Sequence, residues 1–236
     1  MVRKNKRSFF ARLRRWLLWL SVLWLVITFS MVLFLRWFNP PTTAFMLQRL
    51  YSDEFGPVRL QHEWRDFLQI APSLALSVIA SEDQKFAEHW GFDVDAIQQV
   101  LEKRQAGKSM RGASTISQQL AKNIFLWPSR SWLRKGLEVY FTGAIELMIP
   151  KRRILELYLN VVEFGDGIYG AESAAQAIFS LPAIALSREQ AALLAARLPA
   201  PKRYQINPPT DYMRERAAWI MEQTKQLGEA AYLKRL

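Results

Sequence analysis

The chain has 236 residues, half of them hydrophobic, with a formal net charge of +11 and no cysteine. That length suits one good-sized domain plus an appendage, and the missing cysteines exclude thiol catalysis, disulfides and cysteine-based metal sites. Seven basic residues (Arg3, Lys4, Lys6, Arg7, Arg12, Arg14, Arg15) lie within residues 1–15 without an acidic one, so the high charge belongs largely to the tail and does not argue for a nucleic-acid partner.

Residues Trp16 to Leu35 carry no charge. At ~1.5 Å rise per residue such a helix crosses a hydrocarbon core of ~30 Å. Arg36-Trp37-Phe38-Asn39-Pro40-Pro41 follows, with no small-residue cleavage site. The run therefore reads as a retained anchor over 16–36 rather than a cleaved signal. The basic tail, residues 1–15, puts the N-terminus in the cytoplasm and the remaining chain outside it. Residues 37–69 read as a linker and entry segment. Pro40-Pro41 breaks the membrane helix, and Thr43 to Leu50 suits a short helix. His62-Glu63-Trp64-Arg65-Asp66 lacks the second His of a zinc helix, and no carboxylate cluster reads as a metal cage.

From residue 70 to 236 the pattern is that of a single, mainly α domain. Pro72 to Phe86 forms an apolar helix through Leu74, Leu76, Val78 and Ile79, and it delivers Glu82 and Asp83 at its end. A carboxylate half-desolvated at a cleft wall has its pKa raised and can act as a base; taken alone, the pair reads equally as a solvated helix end. Asp93 or Asp95 caps a helix running to about Gln105, and the glycine-containing stretch 106–112 breaks it. Ser114 or Thr115 then caps a further helix, which presents Thr115, Gln119 and Lys122 along one face. A helix N-terminus with a Lys one to two turns on suits a phosphate or pyrophosphate, although an ordinary capped helix has the same look.

Phe125 to Arg134 is an aromatic and basic patch that suits either a headgroup-dipping surface or a core loop. Arg134 to Met148 forms a helix on which Arg134 and Glu138 are i, i+4. Lys151 to Asn160 is amphipathic, Glu163 to Gly170 is a glycine-punctuated turn, and 171–179, 187–198 and 211–227 complete a helical set. No run of alternating strands and no internal repeat is apparent.

Five of these stretches, taken in order, resemble the motifs of glycosyltransferase family 51, the peptidoglycan glycosyltransferases. Glu82-Asp83-x-x-Phe86-x-x-His89-x-Gly91 is similar to the first and Gly112-Ala-Ser114-Thr115-Ile-Ser-Gln118-Gln119-Leu-Ala-Lys122-Asn123 to the second. Arg134-Lys135-x-x-Glu138 with Glu146 resembles the third, Ile154-Leu-Glu156-Leu-Tyr158-Leu-Asn160 the fourth, and Gly165-Asp-Gly167-Ile-Tyr-Gly170 the fifth. The resemblance spans about residues 70–210. No serine is followed by Lys three residues later, so the chain resembles the monofunctional members, without a transpeptidase motif. Leu181 stands where many relatives have Lys.

The resemblance implies a lysozyme-like, two-lobed helical fold behind one transmembrane helix, in the inner membrane with the catalytic domain periplasmic. It implies polymerisation of lipid II into β-1,4 glycan strands with inversion and release of undecaprenyl diphosphate. By it, Glu82 is the general base and Glu138 the second catalytic carboxylate, near the leaving group. Lys122, Arg134 and Lys135 neutralise the pyrophosphate. Gly112, Ser114, Thr115, Gln118, Gln119 and Asn123 belong to the substrate-binding wall, with Asp83, Phe86 and His89 shaping and supporting the base. No cofactor is required, and a divalent cation at the pyrophosphate is the one ion the chemistry leaves room for. Expected partners are lipid II, the nascent strand, the membrane and proteins of cell-wall synthesis or division. Two other readings compete: a membrane-anchored muramidase or lytic transglycosylase, and a non-catalytic cell-wall scaffold. The cations argue against the first and the intact Glu82 and Glu138 against the second.

Overall fold

The computed structural model describes residues 3–51, 59–105, 114–129 and 131–236. Within them the architecture is mainly helical. The tail and anchor are not separate segments: α1 runs unbroken from Arg3 to Phe34, and its apolar span is Phe9–Phe34. No glycine or proline interrupts it, and Lys and Arg are good helix formers, so nothing stops the helix at the charge boundary.

The protein core forms around α3 (Pro72–Glu82), which starts on Pro72 and buries every residue from Leu74 to Ala80. Leu74, Val78 and Ile79 are fully buried, and each such side chain contributes ~1.5–3 kcal/mol. α9 (Arg188–Arg197), α10 (Asp211–Gln226) and the short α11 (Ala230–Leu233) pack around it. A second group is built on α5 (Ile116–Phe125), which lies against α6 (Trp132–Met148) and α7 (Lys151–Val161). α4 (Val94–Gln105) starts on Asp93, whose carboxylate accepts from the amide of Ala96 at 2.9 Å. The loop expected at 106–111 lies outside the described residues.

α3 ends at Glu82, four residues before the sequence pattern suggested. The physical reason is Asp83. Its carboxylate is drawn away from the helix axis to the amide of Ile116 (2.9 Å) and to His89 Nε2 (2.7 Å).

Residues 37–69, expected to be a linker and entry segment, carry structure of their own in their described parts and pack on the domain. α2 (Ala44–Leu50), capped by Thr43, buries Met46 and Arg49, and Arg49 makes two hydrogen bonds of 3.1 Å to Asp166. β1 (Gln61–His62) pairs in parallel with β3 (Ile168–Tyr169), which pairs antiparallel with β2 (Glu163–Gly165). Strands of two and three residues are too short to show alternation in sequence. Fully buried Asn160 pins this segment: its side chain bonds the amide and carbonyl of Arg65 at 2.9 and 2.8 Å. α8 (Ala171–Phe179) follows the sheet directly.

The membrane helix docks on the domain. Thr28 Oγ1 lies 2.5 Å from Tyr140 OH, and Arg36 Nη1 donates to Met148 O at 2.9 Å. Both pairs are offset by the same 112 residues, so α1 and α6 run parallel and side by side. Arg153 closes the top of α1 by donating to the carbonyls of Leu35 and Phe38, at 3.0 Å each. Val32 and Leu35 are buried in this contact. On the open side of α6, Trp132, Leu133 and Leu147 are exposed, continuous in character with the bare apolar surface of α1.

Gly170 begins α8 at φ +84°, and a Cβ there would come 2.6 Å from the carbonyl oxygen of Asn160. Gly170→Ala should therefore lower the melting temperature in detergent by about 4 °C or more. That follows from a strain of roughly 2 kcal/mol and about 2–4 °C per kcal/mol for a domain of this size. Gly136→Ala meets open space on α6 and should leave the melting temperature unchanged or raise it.

Candidate active site

The end of α3 and the first turns of α5 come together because Asp83 accepts the amide of Ile116, the first residue of α5. Glu82, one residue before Asp83, is thereby set beside Gln119. Gln119 Nε2 donates to Glu82 Oε2 at 2.8 Å, and Ser81 Oγ reaches Glu82 Oε1 at 3.4 Å. The Glu82 carboxyl lies in the wall of a cavity of about 360 Å³ lined also by Ser114, Gln119, Tyr204, Tyr212 and Arg216. Ser114, Asp93 and Trp219 line an adjoining cavity of about 250 Å³ that shares Glu82.

Burial raises the pKa of Glu82 above the ordinary carboxylate range. Hydrogen bonds from Gln119 and Ser81, then the charges of Arg216 and Lys122, oppose that rise without cancelling it. A carboxylate in this state has a higher proton affinity than a solvated one, as a general base requires. A larger cavity, about 600 Å³, lies between the start of α3, α10 and α11, and it holds neither Glu82 nor Glu138.

The second carboxylate is set differently. Glu138, on α6, is 4% exposed and takes Arg134 Nη1 at 2.9 Å and Lys135 Nζ at 2.5 Å. Two of the three expected cations are thus already neutralised by the carboxylate between them. Arg134 Nε is buried with no hydrogen-bond partner among the described residues. Lys122 makes no ion pair among the described residues; its Nζ stands 5.6 Å from the centroid of the Phe45 ring. Its pKa is lowered, mainly by burial; the positive Arg134 and Lys135 add to this, and Glu138 and Glu82 oppose it. Glu82, Lys122 and the Glu138 group therefore share one electrostatic environment. An anion entering it would gain Lys122 directly and could exchange with Glu138 for Arg134 and Lys135.

Several residues expected at the substrate have polar groups engaged within the protein. Thr115 was expected to bind donor oxygens. Its hydroxyl is buried, donates to Gly91 O at 2.7 Å and accepts the amide of Gln118 at 3.2 Å, which makes it the N-cap of α5. Gln118 completes the box by accepting the amide of Thr115 at 3.0 Å. His89 accepts the Gly91 amide on Nδ1 and donates from Nε2 to Asp83, so the pair braces the start of α5. Phe86 is fully buried with Lys151 Nζ over its ring at 4.6 Å, and Lys151 is paired with buried Glu146 at 2.8 Å. Gly91 sits at φ +80°, packed against Thr142 and Glu146. Asn123 is buried one turn beyond Gln119. Gly112 lies outside the described residues. Among the described residues no group of three or more His, Asp or Glu is arranged to hold a metal ion.

Sequence reasoning missed Arg216, Tyr204 and Tyr212, and it named Tyr158 in the fourth motif without giving it a role. Tyr158 lies on the apolar stripe of α7 and looks like core; its hydroxyl donates to Gln119 Oε1 at 2.9 Å. Arg216 comes from α10, far along the chain and outside the motifs, with nothing in its spacing to single it out.

A protein-family model described as Transglycosylase matches residues 51–225. The chain is 52% identical over 232 residues to the biosynthetic peptidoglycan transglycosylase of Stutzerimonas stutzeri, covering 98% of this chain and 94% of the relative. It is 51% identical to the protein of that name from Pseudomonas aeruginosa, covering 98% of each, and 50% identical to that of Shewanella oneidensis, covering 92% and 94%.

The raised pKa of Glu82 has a thermodynamic consequence. The folded state binds this proton more tightly than the unfolded state, so stability falls as pH rises from the unfolded value through the folded one. Glu82→Gln removes the desolvated charge. The variant should melt at or above the wild-type temperature at pH 7, and the difference should close near pH 4, where both side chains are neutral. A wild type that melts higher at pH 7 would show that the carboxylate is not destabilised there.

Proposed function

The chain belongs to the transglycosylase family and is a peptidoglycan glycosyltransferase; we propose that it acts on lipid II and the nascent glycan strand, with Glu82 as its general base. The observation that carries this is the Glu82 carboxyl in the cavity wall, with its pKa raised by burial and its position held by Gln119. Glu82 takes the proton of the acceptor sugar's 4-hydroxyl as that oxygen attacks the anomeric carbon of the growing chain. The bond to undecaprenyl diphosphate breaks on the opposite face, which gives inversion and a β-1,4 link.

Negative charge grows on the departing diphosphate, and cations fixed where that charge develops stabilise the transition state more than the ground state. Lys122, in no ion pair among the described residues, meets it first. Arg134 and Lys135 follow by trading Glu138 for phosphate oxygens, with Glu138 holding them in place until then. Ser114 is exposed at the cavity and offers a hydroxyl to the sugars. The reaction needs no cofactor in this scheme. A divalent cation would act by bridging the diphosphate.

The protein is anchored to the membrane by α1. We assign it to the inner membrane as a single-pass protein, with the basic N-terminus cytoplasmic and the remainder periplasmic. Docking of α1 along α6, together with exposed Trp132 and Leu133, favours a first turn of α6 that dips into the lipid. That would bring Arg134 and Lys135 to the level where a lipid-linked diphosphate lies. Proteins of cell-wall synthesis or division are the partners this placement would serve.

Detergent-solubilised protein incubated with labelled lipid II should give polymer that lysozyme digests. Glu82→Gln should lower the rate by at least about 10²-fold with its melting curve intact. Near-full activity in that variant would overturn the assignment of the base. Cleavage of preformed glycan without polymer formation would instead support a lytic enzyme. Lys122→Ala should also cost at least about tenfold in kcat/KM, read in the same assay, because it removes a poorly solvated cation that is in no ion pair among the described residues.

A further inference from the structure

We propose that Tyr158 is a positioning residue for this reaction: its hydroxyl orients the amide of Gln119 so that the nitrogen faces Glu82, which holds the base ionised and in one place. The inference rests on the reading of Glu82 as the base. Three side chains from three helices form the line. Tyr158 OH (α7) donates to Gln119 Oε1 at 2.9 Å, and Gln119 Nε2 (α5) donates to Glu82 Oε2 (α3) at 2.8 Å.

A glutamine amide has two nearly isosteric orientations, and only its partners choose between them. Turned over, Gln119 would set its oxygen against the Glu82 carboxylate, an arrangement that requires Glu82 to hold a proton. It would also strand the Tyr158 proton, since Tyr158 OH has no other hydrogen-bond partner among the described residues. Tyr158 is fully buried, so water does not take that proton instead. Burial and the negative charge of Glu82 and Asp83 keep the phenol protonated far above neutral pH, so it remains a donor throughout the working range. The line therefore has one favoured sense, and that sense stabilises the carboxylate.

Other charged groups around Glu82 set its mean potential but do not orient the amide. Lys122 on α5 and Arg216 on α10 face it and favour ionisation. Arg134, Lys135 and Glu138 on α6 act on Lys122. Asp83, the next residue, points away to His89 and Ile116. Tyr204 and Tyr212 line the same cavity.

Tyr158→Phe keeps the ring and removes the donor. The test is an infrared titration of the Glu82 carboxyl in detergent, read as the difference between each protein and the same protein carrying Glu82→Gln. It runs beside the pH profile of kcat/KM on lipid II. Tyr158→Phe should raise the Glu82 pKa by about one unit and carry the acid limb of kcat/KM upward by the same amount, a tenfold loss on that limb. In a Gln119→Met background, Tyr158→Phe should shift neither quantity further, because the link is already cut. A Glu82 that titrates at the same pH in wild type and Tyr158→Phe overturns the proposal. So does an equal further shift in the Gln119→Met background. A carboxyl pKa that moves while the acid limb stays leaves the line intact and overturns the base assignment. Should Tyr158→Phe not fold, Gln119→Met alone must raise the Glu82 pKa, and an unchanged value there also overturns the proposal.

Discussion

The contact on which the site depends is the one between the Asp83 carboxylate and the amide of Ile116. It is a capping interaction across 33 residues of sequence, made by the end of one buried helix to the start of another. A carboxylate at a helix N-terminus satisfies a free amide and meets the positive end of the helix dipole. His89 holds the other oxygen, so the carboxylate cannot turn away. With this join fixed, Glu82 and Gln119 fall into hydrogen-bond range, and Thr115, Gln118 and Gly91 complete the same corner. The rigidity of the corner lets a partly desolvated carboxylate stay where it is costly to keep one.

A second group of charges is organised around another buried carboxylate. Glu138 is 4% exposed, which is tolerable only because Arg134 and Lys135 sit on its two oxygens. Buried ion pairs add little net stability, since desolvation offsets much of the attraction. Their value here is positional: two cations are held on α6 at one carboxylate. Lys122, in no ion pair among the described residues, stays poorly solvated and under the influence of both carboxylates. The two groups together form a balance of charges, and such arrangements are held at some cost to stability.

The anchor is part of this arrangement rather than a tether. α1 lies along α6, the helix that carries Glu138 and its cations, and is joined to it by Thr28 with Tyr140 and by Arg36 with Met148. Arg153, from the start of α7, ties down the top of the same helix. An enzyme whose donor and acceptor both stay in the bilayer gains when its cleft is fixed at one depth, because the reacting groups then meet without a search normal to the membrane.

Much of this was legible in the residues. The uncharged run after a basic tail determined the anchor, helical periodicity and capping residues determined most helices within a residue or two, and the family resemblance singled out Glu82, Glu138, Lys122, Arg134 and Lys135 as candidates for the chemistry. Helical spacing relates a residue to neighbours on its own helix, which is why the pairing of Arg134 with Glu138 could be read in advance. It does not say which face meets which partner. Only the tertiary structure turned Thr115 inward to Gly91, ended α3 at Glu82 so that Asp83 could cap α5, and wove residues 44–69 into the domain in their described parts. Only packing brought Tyr158 to Gln119 and Arg216 to the cavity of Glu82, across 39 residues in the first case and over a hundred in the second. Those contacts join separate helices, and their partners are set by how buried faces fit together rather than by any local pattern.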